Sequence, residues 1–400
     1  MTMSQFKLPE RVTKPVCLKI TIATFVLLVG LVSIHCYSRF VLLWTLSLLL
    51  GYVFASYMRS KTILPKLYFK TSPLNDFLML NCLSLTQPYR QTFWARNAHV
   101  QTFLGIIIWL FDKHAVTFER EYLQLNDKGI VALDWCKNSK SSIKRNSPIL
   151  IVFPGIYGED YNIRHTCLAA KSKGFRSVVI NYRGHGNSYL ATTKLNSFGD
   201  PQDVRQCILY IKQKFPKSQI TAVAIGTGSA VLFSYLGEFG SSCRIRVASL
   251  ISPIYDMSCD VISSIPRLYQ IILLLCQKNI LIRHSNALYK QIDIKAALLS
   301  WDVLKYHEIV YSRLNNVQTI EQYLEENDPM RDVDDISIPI LCINSSNDPL
   351  SPKESIPYDI FQYPNMLLLE TENGGHLWIL GKFQTAAMGN LYNFGLHFLC

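Results

Sequence analysis

The chain has 400 residues, 49% of them apolar and only 17% charged, a composition that excludes intrinsic disorder and supplies a large core. Its net charge of +11 is unevenly placed. Residues 1–70 hold nine Lys and Arg against Glu10 alone, whereas the other 330 carry 31 basic and 28 acidic residues. A nearly neutral body lacks the basic face of a nucleic-acid-binding domain, and that class is set aside.

Two uncharged runs come first, Ile20–Ile34 and Phe40–Met58. A membrane-spanning helix needs about 20 apolar residues. The second run meets that length and the first is marginal, so one or two spans are expected within an anchor over residues 1–70. No small-x-small pattern follows the first run, which disfavours a cleaved signal peptide. Basic residues flank the pair from Lys7 to Lys19 and from Arg59 to Lys70. Under the positive-inside rule this predicts an integral membrane protein of the endoplasmic reticulum or another endomembrane, with its body in the cytosol. The eleven cysteines contain no C-x-x-C pair, so no zinc or other metal site, redox motif or cofactor is expected. The one glycosylation sequon, Asn344-Ser345-Ser346, ends an expected buried strand and is a poor acceptor.

From residue 71 onward the body alternates short apolar runs with helical patterns. Pro148–Phe153, Ser177–Ile180, Ile220–Ile225, Val247–Ile251, Ile338–Ile343 and Met366–Leu369 read as buried strands. Asp203–Lys214 and Ala230–Phe239 read as helices between them. This predicts an α/β body with a mostly parallel sheet and helices on both faces. The interval from about Asp256 to Asn327 is helix-like and rich in Leu, Ile and Tyr, as an inserted lid would be.

Sites in such sheets form beyond the carboxyl ends of the strands. One strand runs into Pro154-Gly155-Ile156-Tyr157-Gly158, a turn able to aim an N–H at a developing oxyanion. The next-to-last strand leads to Asn347-Asp348-Pro349 and the last to Asn373-Gly374-Gly375-His376. A carboxylate and then an imidazole, each just past one of two consecutive late strands, is the second half of an α/β-hydrolase triad.

The chain resembles the membrane-anchored α/β-hydrolase-domain-containing proteins, the AB hydrolase 4 family of eukaryotic phospholipases and bacterial esterases. The resemblance runs from about Phe93 to His376. It rests on Asn97-Ala98-His99-Val100-Gln101-Thr102, similar to the family's N-x-H-x-Q-T signature, and on Val131-Ala132-Leu133-Asp134-Trp135 and the Pro154–Gly158 turn. Asn181-Tyr182-Arg183-Gly184, Tyr235-Leu236-Gly237, Asn347-Asp348-Pro349 and Gly374-Gly375-His376 complete it. It implies a serine carboxylic-ester hydrolase acting on lipid esters, with Asp348 and His376 in the triad. It also implies an oxyanion hole from the N–H groups of Ile156 and of the residue after the nucleophile, here Thr227.

The nucleophile departs from that pattern. The G-x-S-x-G elbow, counted back from Tyr235-Leu236-Gly237, falls on Ala224-Ile225-Gly226-Thr227-Gly228, with Gly226 where the Ser belongs. Glycine has no oxygen with which to attack. Thr227 points off the tip, and Ser229 lies about one turn into the next helix. Gly226-Thr227-Gly228 is no dinucleotide loop either, because Val231 stands at the sixth position. Arg183-Gly184-His185-Gly186 reads as structural rather than phosphate-binding. Two readings follow. One is a non-catalytic relative that keeps a lipid or acyl-chain pocket and serves a protein partner at a membrane, favoured by the missing Ser. The other is an active lipid ester hydrolase, using a displaced nucleophile or water activated by His376, favoured by the retention of Asp348 and His376.

Overall fold

The computed structural model describes residues 39–58, 62–86, 88–91, 97–111, 116–137, 143–156, 161–377 and 381–383. Nine strands form one sheet: β1 (Lys66–Phe69), β2 (Phe118–Gln124), β3 (Ile130–Cys136), β4 (Ile149–Phe153), β5 (Arg176–Asn181), β6 (Ile220–Ile225), β7 (Ile245–Ile251), β8 (Ile340–Ser345) and β9 (Met366–Thr371). Their spatial order is β1-β9-β8-β7-β6-β4-β5-β3-β2. The six strands from β9 to β5 run parallel, and β1, β3 and β2 pair antiparallel at the two edges.

The apolar runs are continuous because both faces of the parallel strands are covered. In β4, Ile149, Ile151 and Phe153 enter one core with Val204, Ile208 and Val231. Leu150 and Val152 enter the other with Ile163, Cys167 and Ala170. The covering helices are α4 (Tyr161–Ser172), α5 (Gln202–Lys214) and α6 (Gly228–Phe239). Between β7 and β8 the chain leaves the sheet as α7 (Cys259–Ser264), α8 (Arg267–Leu288), α9 (Ile294–Leu299), α10 (Val303–His307), a π-helical turn (Glu308–Ser312) and α11 (Ile320–Glu326). These helices have a core of their own around Leu274, Leu281, Tyr306, Val310 and Tyr323. The insertion is a folded layer.

Upstream lie α1 (Arg39–Met58), α2 (Pro73–Asn81) and α3 (Ala98–Phe111). The run Ile20–Ile34 is outside the described residues, as are several side chains of α1. Trp44, Leu48, Leu50 and Phe54 of α1 are exposed. Among the described residues no helix is long and apolar enough to cross a membrane. One boundary is corrected. An anchor over residues 1–70 takes in β1, yet β1 pairs with β9 through Lys66↔Glu370 and Phe69↔Leu367 and belongs to the body. The strand has only four residues, with Lys66 at its start and Lys70 just past its end, so the segment carries the charge of a membrane flank and the pairing of an edge strand.

Candidate active site

The turn at the tip of β6 is set by two glycines for different reasons. Gly226 has φ +52°, in the left-handed region that favours glycine, and its N–H donates to the Ile251 carbonyl (2.9 Å). A Cβ on Gly228 would lie 2.5 Å from the Phe153 carbonyl oxygen and 2.6 Å from that of Pro154. Only glycine lets α6 start so close to the end of β4. Space does not force glycine at position 226, where a Cβ would meet the His376 Nε2 at 3.4 Å and the Leu377 methyls at 3.5 and 3.7 Å.

His376 and Asp348 meet beside that tip. The His376 Nδ1 lies 3.0 and 3.1 Å from the two Asp348 carboxylate oxygens, with both side chains buried. The backbone N–H groups of Leu350 and Ser351 donate to Asp348 Oδ1, which fixes the carboxylate in the Asp-Pro turn. With Nδ1–H given to the carboxylate, the Nε2 lone pair faces Gly226. Leu377, at φ +62°, lies over the same spot, and its N–H donates to the hydroxyl of Ser252, itself at φ +46°. Non-glycine residues in this region cost about 1–3 kcal/mol each and gather at functional sites.

The other expected residues divide. Ile156 is buried in the turn after β4, and Tyr157 and Gly158 lie outside the described residues. A Cβ on Gly155 would stand 3.6 Å from the Thr227 Oγ1, so that turn and the start of α6 pack together, with the Thr227 hydroxyl toward the turn. Ser229 is fully buried; its hydroxyl donates to the Gly226 carbonyl (2.6 Å) and accepts from the Ile254 N–H (2.9 Å). Arg183 is buried between Asp203 and Asp127, which leaves it no anion to bind. Asp134 accepts from Arg120 and Asn181, and Gly237 lets α6 approach the Asp332 backbone. These motif residues hold the frame.

The N-x-H-x-Q-T segment carries a role that its spacing alone does not disclose. Asn97 caps α3 through its side-chain oxygen, which accepts from the N–H groups of His99 and Val100. One turn on, the Thr102 hydroxyl donates to the Ala98 carbonyl and accepts the His376 N–H (both 2.9 Å). Gly375 permits the approach, since a Cβ there would lie 2.6 Å from the Thr102 nitrogen. His99 Nδ1 meets the hydroxyl of Tyr269 on the lid helix α8 at 2.8 Å. Burial pushes the Tyr269 phenol up, with Thr102 opposing and the Asp348 charge adding to the rise. One helix thus supports the imidazole and receives the lid.

Residues 148–383 match the family described as the alpha/beta hydrolase fold. The chain belongs to that family. Human Protein ABHD15 is 33% identical over 298 residues, 72% of this chain and 63% of its own length. Human Phospholipase ABHD3 is 28% identical over 349 residues, 84% of this chain and 85% of that protein. Mouse Monoacylglycerol lipase ABHD2 is 23% identical over 344 residues, covering 80% and 81%.

Proposed function

We propose that this α/β-hydrolase-family protein is a membrane-anchored, catalytically impaired relative of lipases and phospholipases. It holds a lipid ester or acyl chain, or a protein partner, without turning a substrate over. One observation carries the reading: the residue facing the His376 Nε2 is Gly226, and no hydroxyl stands there to be deprotonated. Neither neighbour makes up the loss. Both capacities of the Ser229 hydroxyl are taken by backbone groups, and the Thr227 hydroxyl faces Gly155. The names Phospholipase and Monoacylglycerol lipase borne by two relatives support a lipid as ligand. The exposed apolar side chains of α1 and the basic flanks of the first 70 residues support an endomembrane anchor with the body in the cytosol.

The alternative is an active carboxylic-ester hydrolase on phospholipids or acylglycerols, with a displaced nucleophile. The ordered Asp348–His376 pair favours it, because a base oriented toward the elbow is what the proton transfer requires. A fluorophosphonate probe and a phosphatidylcholine hydrolysis assay on the purified protein separate the two. Neither labelling nor turnover is expected. Labelling abolished by Ser229→Ala or Thr227→Ala, or turnover abolished by His376→Ala, would establish the alternative.

A further inference from the structure

We propose that the outer face of α3, the first turn of α8 and the Leu299–Trp301 segment form one surface that docks into the headgroup layer of a lipid bilayer. The inference rests on the reading above only in that the chain is held at a membrane.

α3 is built inside out. Its inward residues include the buried polar side chains Gln101 and Thr102, while Val100, Phe103 and Ile107 are 39%, 37% and 44% exposed. No charged residue occurs between Ala98 and Phe111. A helix normally buries its apolar side, yet Val100, Phe103 and Ile107 share an exposed side of α3 while its polar Gln101 and Thr102 are inside. The lid meets α3 beside this strip, through the buried Tyr269. Phe103 stacks on Tyr269 at 6.0 Å between ring centroids. Leu268, the preceding residue of α8, is 51% exposed. Arg267 donates to the Trp301 carbonyl (2.6 Å), which brings exposed Trp301 and Leu299 to the same end of the lid. Scattered single apolar residues need no explanation; a connected strip does.

Charge complementarity selects lipid as the occupant. Exposed Arg267 has no carboxylate partner among the described residues and reaches the Trp301 carbonyl, while the Trp301 ring covers the buried Lys278 ammonium at 4.1 Å. An exposed indole beside an exposed guanidinium suits the level where acyl chains meet anionic headgroups. Fourteen residues rise about 21 Å, too short to cross and suited to lying in the interface plane.

The test uses the full chain reconstituted in phosphatidylcholine–phosphatidylserine vesicles with or without brominated acyl chains. Emission of Trp301 is isolated by difference from Trp301→Phe, and Phe103→Trp supplies a second reporter on α3. Bromolipid should quench both at least about two-fold, as for groups set at the acyl boundary. Phe103→Asp with Ile107→Asp should relieve the Trp301 quenching while the protein still floats with the vesicles. Flotation without quenching overturns the docking face and leaves the anchoring intact. So does quenching that the double change does not relieve, or an unquenched face protected in a cross-linked dimer, which would assign the surface to a second copy. Failure to float overturns the anchoring, and the docking face with it.

Discussion

Gly226→Ser puts a hydroxyl at the elbow tip, and the structure bounds what it costs. The Cβ enters a gap whose nearest atoms lie at 3.4 to 3.7 Å, ordinary van der Waals contact. The main penalty is the backbone, since φ +52° costs a non-glycine residue about 1–3 kcal/mol. A domain with about 5–15 kcal/mol of stability tolerates that. The Oγ, one bond beyond a Cβ already 3.4 Å from the His376 Nε2, can rotate into hydrogen-bond reach of the base. Proton transfer by a positioned base contributes roughly 10²–10⁴-fold. The variant should therefore hydrolyse p-nitrophenyl butyrate at about that factor above the unchanged protein, and should bind a fluorophosphonate probe. Adding His376→Ala should return the rate to background. A folded Gly226→Ser protein with neither turnover nor labelling would refute the reasoning. It would mean that Leu377 keeps the tip covered or that the Asp348–His376 pair does not accept the proton.

Three further outcomes follow from the same contacts. In the Gly226→Ser background, Thr102→Val removes the acceptor of the His376 N–H and should lower turnover roughly 10-fold, the effect of about 1.4 kcal/mol; Thr102→Ser should restore it. Gly228→Ala drives a Cβ to 2.5 Å from a backbone oxygen and should destabilise the fold by about 1–3 kcal/mol or more, read as a lowered thermal midpoint. His307, buried in the lid against Tyr306 and Tyr311, is pushed down by burial to about 4 from an unfolded value of about 6.5. The unfolded chain therefore takes up the proton first, and stability is full above about pH 6.5 and falls toward pH 4. The loss is at most about 3 kcal/mol, and His307→Gln should flatten this pH dependence in thermal unfolding.

Most of the sheet is readable from local pattern because its parallel strands are buried on both sides. Ile220–Ile225 matches its strand end to end, and Ile245–Ile251 extends its expected run by two residues. Edge strands carry no such signal. The strands Phe118–Gln124 and Lys66–Phe69 mix charged and apolar residues, and one is hidden beside a membrane-like charge pattern. Chain order likewise brings Asp348, His376 and Gly226 together, since all three sit just past the carboxyl ends of parallel strands of one sheet. The parts of the site that escape sequence reading are tertiary. Nothing in the spacing of Thr102 announces that its hydroxyl holds a backbone N–H 274 positions away, or that His99 meets a lid tyrosine. The close approach of Gly375 to Thr102 is the one trace of that contact in the composition of both segments.

Beside the main sheet, a ribbon of three short strands joins Thr62–Ile63, Tyr89–Gln91 and Gly381–Phe383. The first lies just after α1, the second just before α3, and the third just after the His376 loop. Four Cα steps separate Met58 from Thr62, at most about 15 Å of chain. That short span is fastened to the two segments that frame the imidazole. Whatever holds α1 in place therefore stands only a few residues from the ribbon that borders the loop carrying His376.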